Sequence, residues 1–99
     1  MLQYKAPLRD MRFVLNEVLD YSAHYATLSN GADATPEMVD AILEGAATLC
    51  EEVLAPLNAS GDREGCQLKD GVVTTPKGCK EAYAEFVAGG WQGLSFPVE

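Results

Sequence analysis

His24 is the single histidine of this chain, and Cys50, Cys66 and Cys79 are its three cysteines. These are the side chains nearest in type to a base, a nucleophile or a soft metal ligand at neutral pH. A histidine-activated nucleophile needs a Ser or Cys in reach of the ring and a third group to orient it. The sequence sets no such partner beside His24. Tetrahedral zinc needs four nitrogen or sulfur ligands, usually in short-spaced pairs. One histidine and three scattered cysteines, with no CxxC pair, do not supply them. The cysteines read instead as free, mostly buried thiols. Asp33, Thr35, Glu37 and Glu44 fall at positions 1, 3, 5 and 12 of a calcium-loop pattern. The required glycine at position 6 is Met38, however, and Pro36 sits inside the loop, so a helix cap explains these residues better. The glycines form neither GxGxxG nor GxxxxGK[ST]. A small acidic helical chain also suggests an acyl carrier protein. Ala34-Thr35-Pro36-Glu37 stands where its modifiable serine would be needed. No residue is therefore assigned as catalytic, cofactor-binding or metal-ligating.

The elements that would hold any site are mainly α-helical. Gln3-Tyr4-Lys5-Ala6 precedes Pro7 and is expected to be extended, because a residue before proline avoids the α region. Met11, Val14, Leu15, Val18 and Leu19 recur at three- and four-residue spacing and predict a helix over about 8–20. Phe13 lies beside that stripe, and Arg9, Arg12, Asn16, Glu17 and Asp20 form the wet side. Tyr21, Tyr25 and Leu28 extend it by one or two turns, up to Ser29-Asn30-Gly31.

Thr35 as N-cap and Pro36 at the first helical position open a second helix over about 36–58. Val39, Ile42, Ala46, Leu49, Val53 and Leu57 make one apolar stripe, with Leu43, Ala47, Cys50 and Leu54 beside it. That arc is wide enough for burial on more than one side. Gly45-Ala46-Ala47 is slim and admits a close neighbour. Pro56 is expected to kink or fray the end near 55–58, and 58–65 reads as a loop. Cys66–Leu68 and Val72–Thr74 flank Asp70-Gly71, a hairpin signal. Thr75-Pro76 repeats the cap-and-proline pattern before a third helix over about 77–88. Its inner face is Ala82, Phe86 and Val87 with Tyr83 beside them, and Gly89-Gly90 ends it. The expected fold is mainly α: three main helices plus a small β-hairpin around 66–74, with no internal repeat and no low-complexity tract.

Ninety-nine residues, 47% of them hydrophobic, suit one globular domain with a modest core. No apolar run approaches the ~20 residues that span a bilayer. The opening MLQYKAPLRD has neither an apolar core nor a small-residue cleavage site, so an intracellular, cytoplasmic location is expected. A net charge of -8 argues against nucleic acid and anionic membrane as partners. Residues 36–58 hold Glu37, Asp40, Glu44, Glu51 and Glu52 with no basic residue, which reads as a solvated helix face. The closing AGGWQGLSFPVE carries Trp91, Leu94 and Phe96, large apolar groups where a terminus usually tapers into polar ones.

Three blocks carry a family resemblance: YKAPLRDMRFVLNEVLD, EGAATLCEEVLAPLNASGDREGC and DGVVTTPKGCKEAYAEFVAGGWQGLSFP. In that order they resemble the opening of a long subgroup of acyl-CoA dehydrogenases, the bacterial acyl-CoA or 3-methylmercaptopropanoyl-CoA type. The resemblance covers essentially all 99 residues. It implies that residues 1–34 are a subgroup-specific N-terminal extension and that 35–99 begin the N-terminal helical domain. A middle β-domain and a C-terminal four-helix bundle would follow. In the family, FAD sits between the later domains and a neighbouring subunit. A glutamate in the C-terminal part removes the α-proton of the acyl thioester, and a hydride passes to the flavin. No glutamate here matches that base. Relatives usually continue after GLS-P as Glu-Tyr-Gly-Gly, where this sequence reads Phe96-Pro97-Val98-Glu99.

The resemblance implies acyl-CoA as substrate of the parent, electron-transfer flavoprotein as its acceptor, FAD as its cofactor and a homo-oligomer as its assembly. This chain by itself would hold no cofactor, have no activity, and pack on the β-domain and C-terminal bundle. The alternative is a free-standing acidic helical interaction module, docking through Gly45-Ala46-Ala47 and the wide apolar arc of the second helix.

Overall fold

The computed structural model describes residues 3–97; Met1, Leu2, Val98 and Glu99, on which the readings of the two chain ends partly fall, lie outside the described residues. The chain divides into two compact units, Lys5–Thr48 and Leu49–Pro97, the second also taking in residues 3 and 4.

In the first unit, residues 3–7 hold no helix or strand, and α1 runs Leu8–Arg12. It opens into a π-helical segment, Phe13–Val18, in which the amide of Leu19 donates to the Val14 carbonyl at 2.9 Å. Asp20, at φ 46, ends it close to the predicted boundary; aspartate is among the few side chains that tolerate the left-handed region. α2, Tyr21–Ala26, supplies the further turn expected there. Gly31 is buried, and a Cβ on it would stand 2.1 Å from the Tyr25 carbonyl oxygen. Only glycine lets the 28–34 turn fold back onto the end of α2. Its amide donates to Leu28 O at 3.1 Å, and Ala34 donates back to it at 3.1 Å.

α3, Pro36–Thr48, begins as predicted: the Met38 amide donates to Thr35 Oγ1 at 3.1 Å. Ala47 is the buried alanine of this unit. Leu15 and Leu43 line one shallow apolar hollow with Met11 and Val14.

The second unit opens with another π-helical segment, Leu49–Leu54, followed by α4, Ala55–Glu64. The predicted second helix is therefore realised as α3, this segment and the start of α4. Pro56 does not fray it. The proline falls in the first turn of α4, right after the wide turns. A missing N–H costs least there, and a π-bulge is one of the few devices that admits an irregularity without stopping a helix.

The loop expected over 58–65 is corrected: helix runs on to Glu64 and stops at Gly65, φ 66. Asn58, Ser60, Gly61 and Asp62 are poor helix formers. Packing of this turn against residues 76–78 overrides them. A Cβ on Gly78 would meet Leu57 Cδ2 at 2.7 Å, and one on Gly61 would lie 3.9 Å from Pro76. The Lys77 amide donates to Glu64 Oε2 at 3.1 Å.

Strands β1, Gln67–Lys69, and β2, Val72–Thr74, pair antiparallel with Leu68 opposite Val73. Asp70 at φ 52 and Gly71 at φ 77 make the turn that their types predict. α5 spans Cys79–Ala88. It starts after the predicted position 77, because Gly78 at φ 92 precedes it. The Thr75 cap is corrected too: no side-chain cap is present, and the Cys79 amide is taken by the Pro76 carbonyl at 3.2 Å. Gly90, at φ 74, closes the helix and leads into a 3-10 turn, Trp91–Gly93.

Very little is buried. Among the described residues the apolar core proper is Ala47 and Ala82, while Leu68, Val72, Val73, Tyr83, Leu94 and Phe96 are each more than 60% exposed.

Candidate functional site: an apolar groove between two helices

An open concavity lies in the second unit. Leu54, Leu57, Asn58, Gly61 and Asp62 line one wall, and Cys79, Ala82, Tyr83 and Phe86 line the other. Both sets recur at three- and four-residue spacing, so each wall is one face of a helix. Pro76 completes the lining, and the volume is about 650 Å³. That is within the size range of small-molecule sites, but the groove is open along its length. The walls are held by the close approach of Leu57 to Gly78 and of Gly61 to Pro76, and by the Glu64–Lys77 hydrogen bond. Its polar side-chain groups are the Asn58 amide, the Asp62 carboxylate, the Cys79 thiol and the Tyr83 hydroxyl.

The first unit has an electrostatic clamp that the sequence does not reveal. Arg12 Nε donates to Asp40 Oδ1 at 2.5 Å, and Arg12 Nη2 donates to Glu44 Oε1. The two carboxylates are one turn apart on α3, so one guanidinium spans both and ties the end of α1 to it. The hydrogen bonds to Asp40 and then Glu44 push the Arg12 pKa up from its already high value. Part of the acidic stretch read as a solvated face is thus an anchoring face. Arg12 sits 28 and 32 positions from its partners, a separation that no local pattern encodes.

His24 is exposed, with its ring centroid 5.5 Å from that of Tyr21 and 6.0 Å from that of Tyr25. No Ser or Cys is brought to it among the described contacts. Cys50 and Cys79 are half-buried and Cys66 is exposed; all three are free thiols. The mostly buried reading holds in part for two and fails for Cys66, which lies just before the exposed strand β1. Among the described residues no three His, Cys, Asp or Glu side chains gather as a metal site. Of the calcium-loop residues, Thr35 is a helix cap and Glu44 is engaged with Arg12. Leu54, Leu57, Ala82, Tyr83 and Phe86 were legible as members of apolar stripes, but Asn58, Gly61, Asp62, Pro76 and Cys79, and with them the joining of α4 to α5, were not, since 58–65 read as loop.

No family model matches the chain. Over 98 residues it is 39% identical to the 3-methylmercaptopropionyl-CoA dehydrogenase of Ruegeria pomeroyi, a match that takes in 99% of this chain and 16% of that protein. The chain therefore spans about a sixth of the length of the curated relative it matches. No helix among the described residues is long and apolar enough to cross a membrane. Along essentially its whole length, this mainly α-helical chain is similar to a segment of an acyl-CoA dehydrogenase.

Proposed function

We propose that the chain is the N-terminal structural segment of an FAD-dependent acyl-CoA dehydrogenase, an α,β-dehydrogenase of acyl-CoA thioesters. In this reading residues 1–34 form the subgroup extension and 35–99 begin the N-terminal helical domain. The carrying observation is the 39% identity, which runs the whole length of this chain yet through only 16% of the relative. The unburied surface supports it. A chain whose large apolar side chains Leu68, Tyr83, Leu94 and Phe96 are each more than 60% exposed is suited to be covered by further parts of a larger protein. The segment's role is to pack on the β-domain and C-terminal helical domain and to help cover the acyl end of the active site. Electron-transfer flavoprotein as acceptor, homo-oligomeric assembly and a cytoplasmic location belong to the same proposal for the parent.

The described residues do not fit a flavin. They offer no glycine-rich phosphate loop, and they leave no buried side-chain polar atom without a partner to await one. The groove's Asn58, Asp62 and Cys79 are not a cradle for a pyrophosphate, which calls for backbone N–H groups or cations. No catalytic step is therefore assigned to this chain, and it is expected to be inactive alone. Flavin chemistry would be supplied by the other parts of the parent.

The test is the coding sequence beyond codon 99. Continuation in frame for several hundred residues that keep similarity to the dehydrogenase supports the proposal. A stop codon there supports the free-standing interaction module instead.

A further inference from the structure

We propose that Asp70-Gly71 is a site of spontaneous backbone rearrangement to isoaspartate, and that the fold withholds the same chemistry from Asn30-Gly31. Both steps set a side-chain carbonyl carbon beside the amide of a glycine, which has no Cβ to hinder attack. In each, the glycine nitrogen can bond to Cγ of the preceding residue and close a succinimide ring. Asp70 releases water in that step, and Asn30 releases ammonia. Water then opens the ring at either carbonyl. Opening at Cγ leaves aspartate. Opening at the main-chain carbonyl leaves isoaspartate, whose backbone runs through Cβ and Cγ. By chemistry alone Asn30 is the faster, because a neutral amide is attacked more readily than a carboxylate. The structure opposes that order.

Asn30 is exposed, but the glycine that must attack it is held. Gly31 is buried, its amide donates to Leu28 O at 3.1 Å, and its carbonyl accepts from the Ala34 amide at 3.1 Å. The Tyr25 carbonyl oxygen, 2.1 Å from where a Cβ would go, closes the remaining side. Ring closure needs the peptide between 30 and 31 to swing, and so to give up both bonds. It must wait for the 28–34 turn to open.

Asp70-Gly71 carries no such restraint. Residues 66–75 are all exposed, and nothing lies within 4 Å of a Cβ position on Gly71. The turn joins strands of three residues each. A lone ribbon of that kind is marginal, so it opens often. Rearrangement would also be self-reinforcing. Isoaspartate adds a methylene to the main chain of a turn whose φ values of 52 and 77 set Lys69 opposite Val72. With the longer link that register is lost.

The test uses the protein expressed from its complete coding sequence, as wild type and as Asp70→Asn. Each is aged in neutral buffer, with a parallel sample in denaturant. Peptides are followed by chromatography and by electron-transfer fragmentation, which distinguishes isoaspartate from aspartate. In the wild type, isoaspartate at position 70 should accumulate within about threefold of its rate in denaturant, whereas deamidation of Asn30 should be about tenfold or more slower in the fold than in denaturant. Asp70→Asn puts the same side chain before both glycines, and asparagine suits such a turn. The ratio of the two rates then reads the fold alone. Position 70 should deamidate about tenfold or more faster than Asn30 in the native variant, and the rates should converge in denaturant.

Equal rates at the two positions in the native variant, or faster loss at Asn30, overturn the proposal. So does a wild type that keeps aspartate at position 70 while its denatured sample rearranges. None of these readouts uses flavin or activity, so the dehydrogenase reading stands or falls separately.

Discussion

Gly31, Gly78 and Arg12 each do a job that their neighbours in sequence do not announce. Gly31 was read only as part of a Ser-Asn-Gly turn. Its necessity comes from the Tyr25 carbonyl, 2.1 Å from where a Cβ would go. Gly31→Ala should therefore destabilise by about 3 kcal/mol, since backbone rather than a mobile side-chain end must move. Urea titration of the variant measures it. Gly78→Ala combines a left-handed φ of 92 with the displacement of Leu57. It should cost at least the ~1–2 kcal/mol of the backbone strain alone and should loosen the groove wall, visible as faster amide exchange in α4.

Arg12→Ala removes a clamp that is partly exposed on both sides. The expected effect is a lowered thermal midpoint at low salt, with most of the difference lost at about 0.5 M salt as screening takes over. Because the Arg12 pKa is raised, the charged form persists in the fold. Any stability it contributes is present below the unfolded arginine value and is lost only as pH rises through the folded one, above the ordinary arginine range. Salt, not pH, is therefore the lever on Arg12. The His24 ring lies beside Tyr21 and Tyr25 of its own helix, neighbours that the three- and four-residue spacing of a helix brings together.

Local chemistry made some elements readable and tertiary packing hid others. Thr35-Pro36 and Asp70-Gly71 fix a cap and a turn within four residues, so α3 and the hairpin appear where the sequence puts them. The same cap-and-proline pattern at Thr75-Pro76 misleads. Lys77 lends its amide to Glu64, and Gly78 turns left-handed before α5 can start. Residues 58–64 are the clearest failure of local reading, because Ser, Gly and Asp speak for a loop while Leu57 and Gly61 find partners at 76–78.

Pro56 gives a test at this scale. Restoring an N–H with Pro56→Ala should change stability by less than about 1 kcal/mol, because the wide turns of the preceding π-helical segment already accommodate the missing donor. A proline moved to Ala59, in the interior of α4, should cost about 3 kcal/mol or more. Helix content by circular dichroism and the denaturation midpoint distinguish the two. The hairpin is exposed on both strands. A lone two-stranded ribbon is marginal, so its amides should exchange fast in this chain.

Taken as a molecule, the chain has helices and hairpin in place with only two buried apolar side chains among the described residues. The sequence foretold an apolar arc on the second helix and a greasy C-terminal stretch. The structure half-buries most of that arc, Leu54 excepted, and leaves the C-terminal stretch open, with Leu94 and Phe96 both more than 60% exposed. Patches of that kind drive association. The 99-residue chain should therefore bind a hydrophobic dye and show a concentration-dependent sedimentation coefficient. A strictly monomeric, dye-silent species would speak for the independent module.

The most direct measurement is made on the full-length polypeptide and on this chain, purified side by side. Flavin absorbance and acyl-CoA-dependent reduction of an electron-accepting dye are recorded for each. The account predicts stoichiometric flavin and activity in the full-length protein, and neither in residues 1–99. Flavin and activity in the 99-residue chain, or their absence from a correctly folded full-length protein, would contradict it.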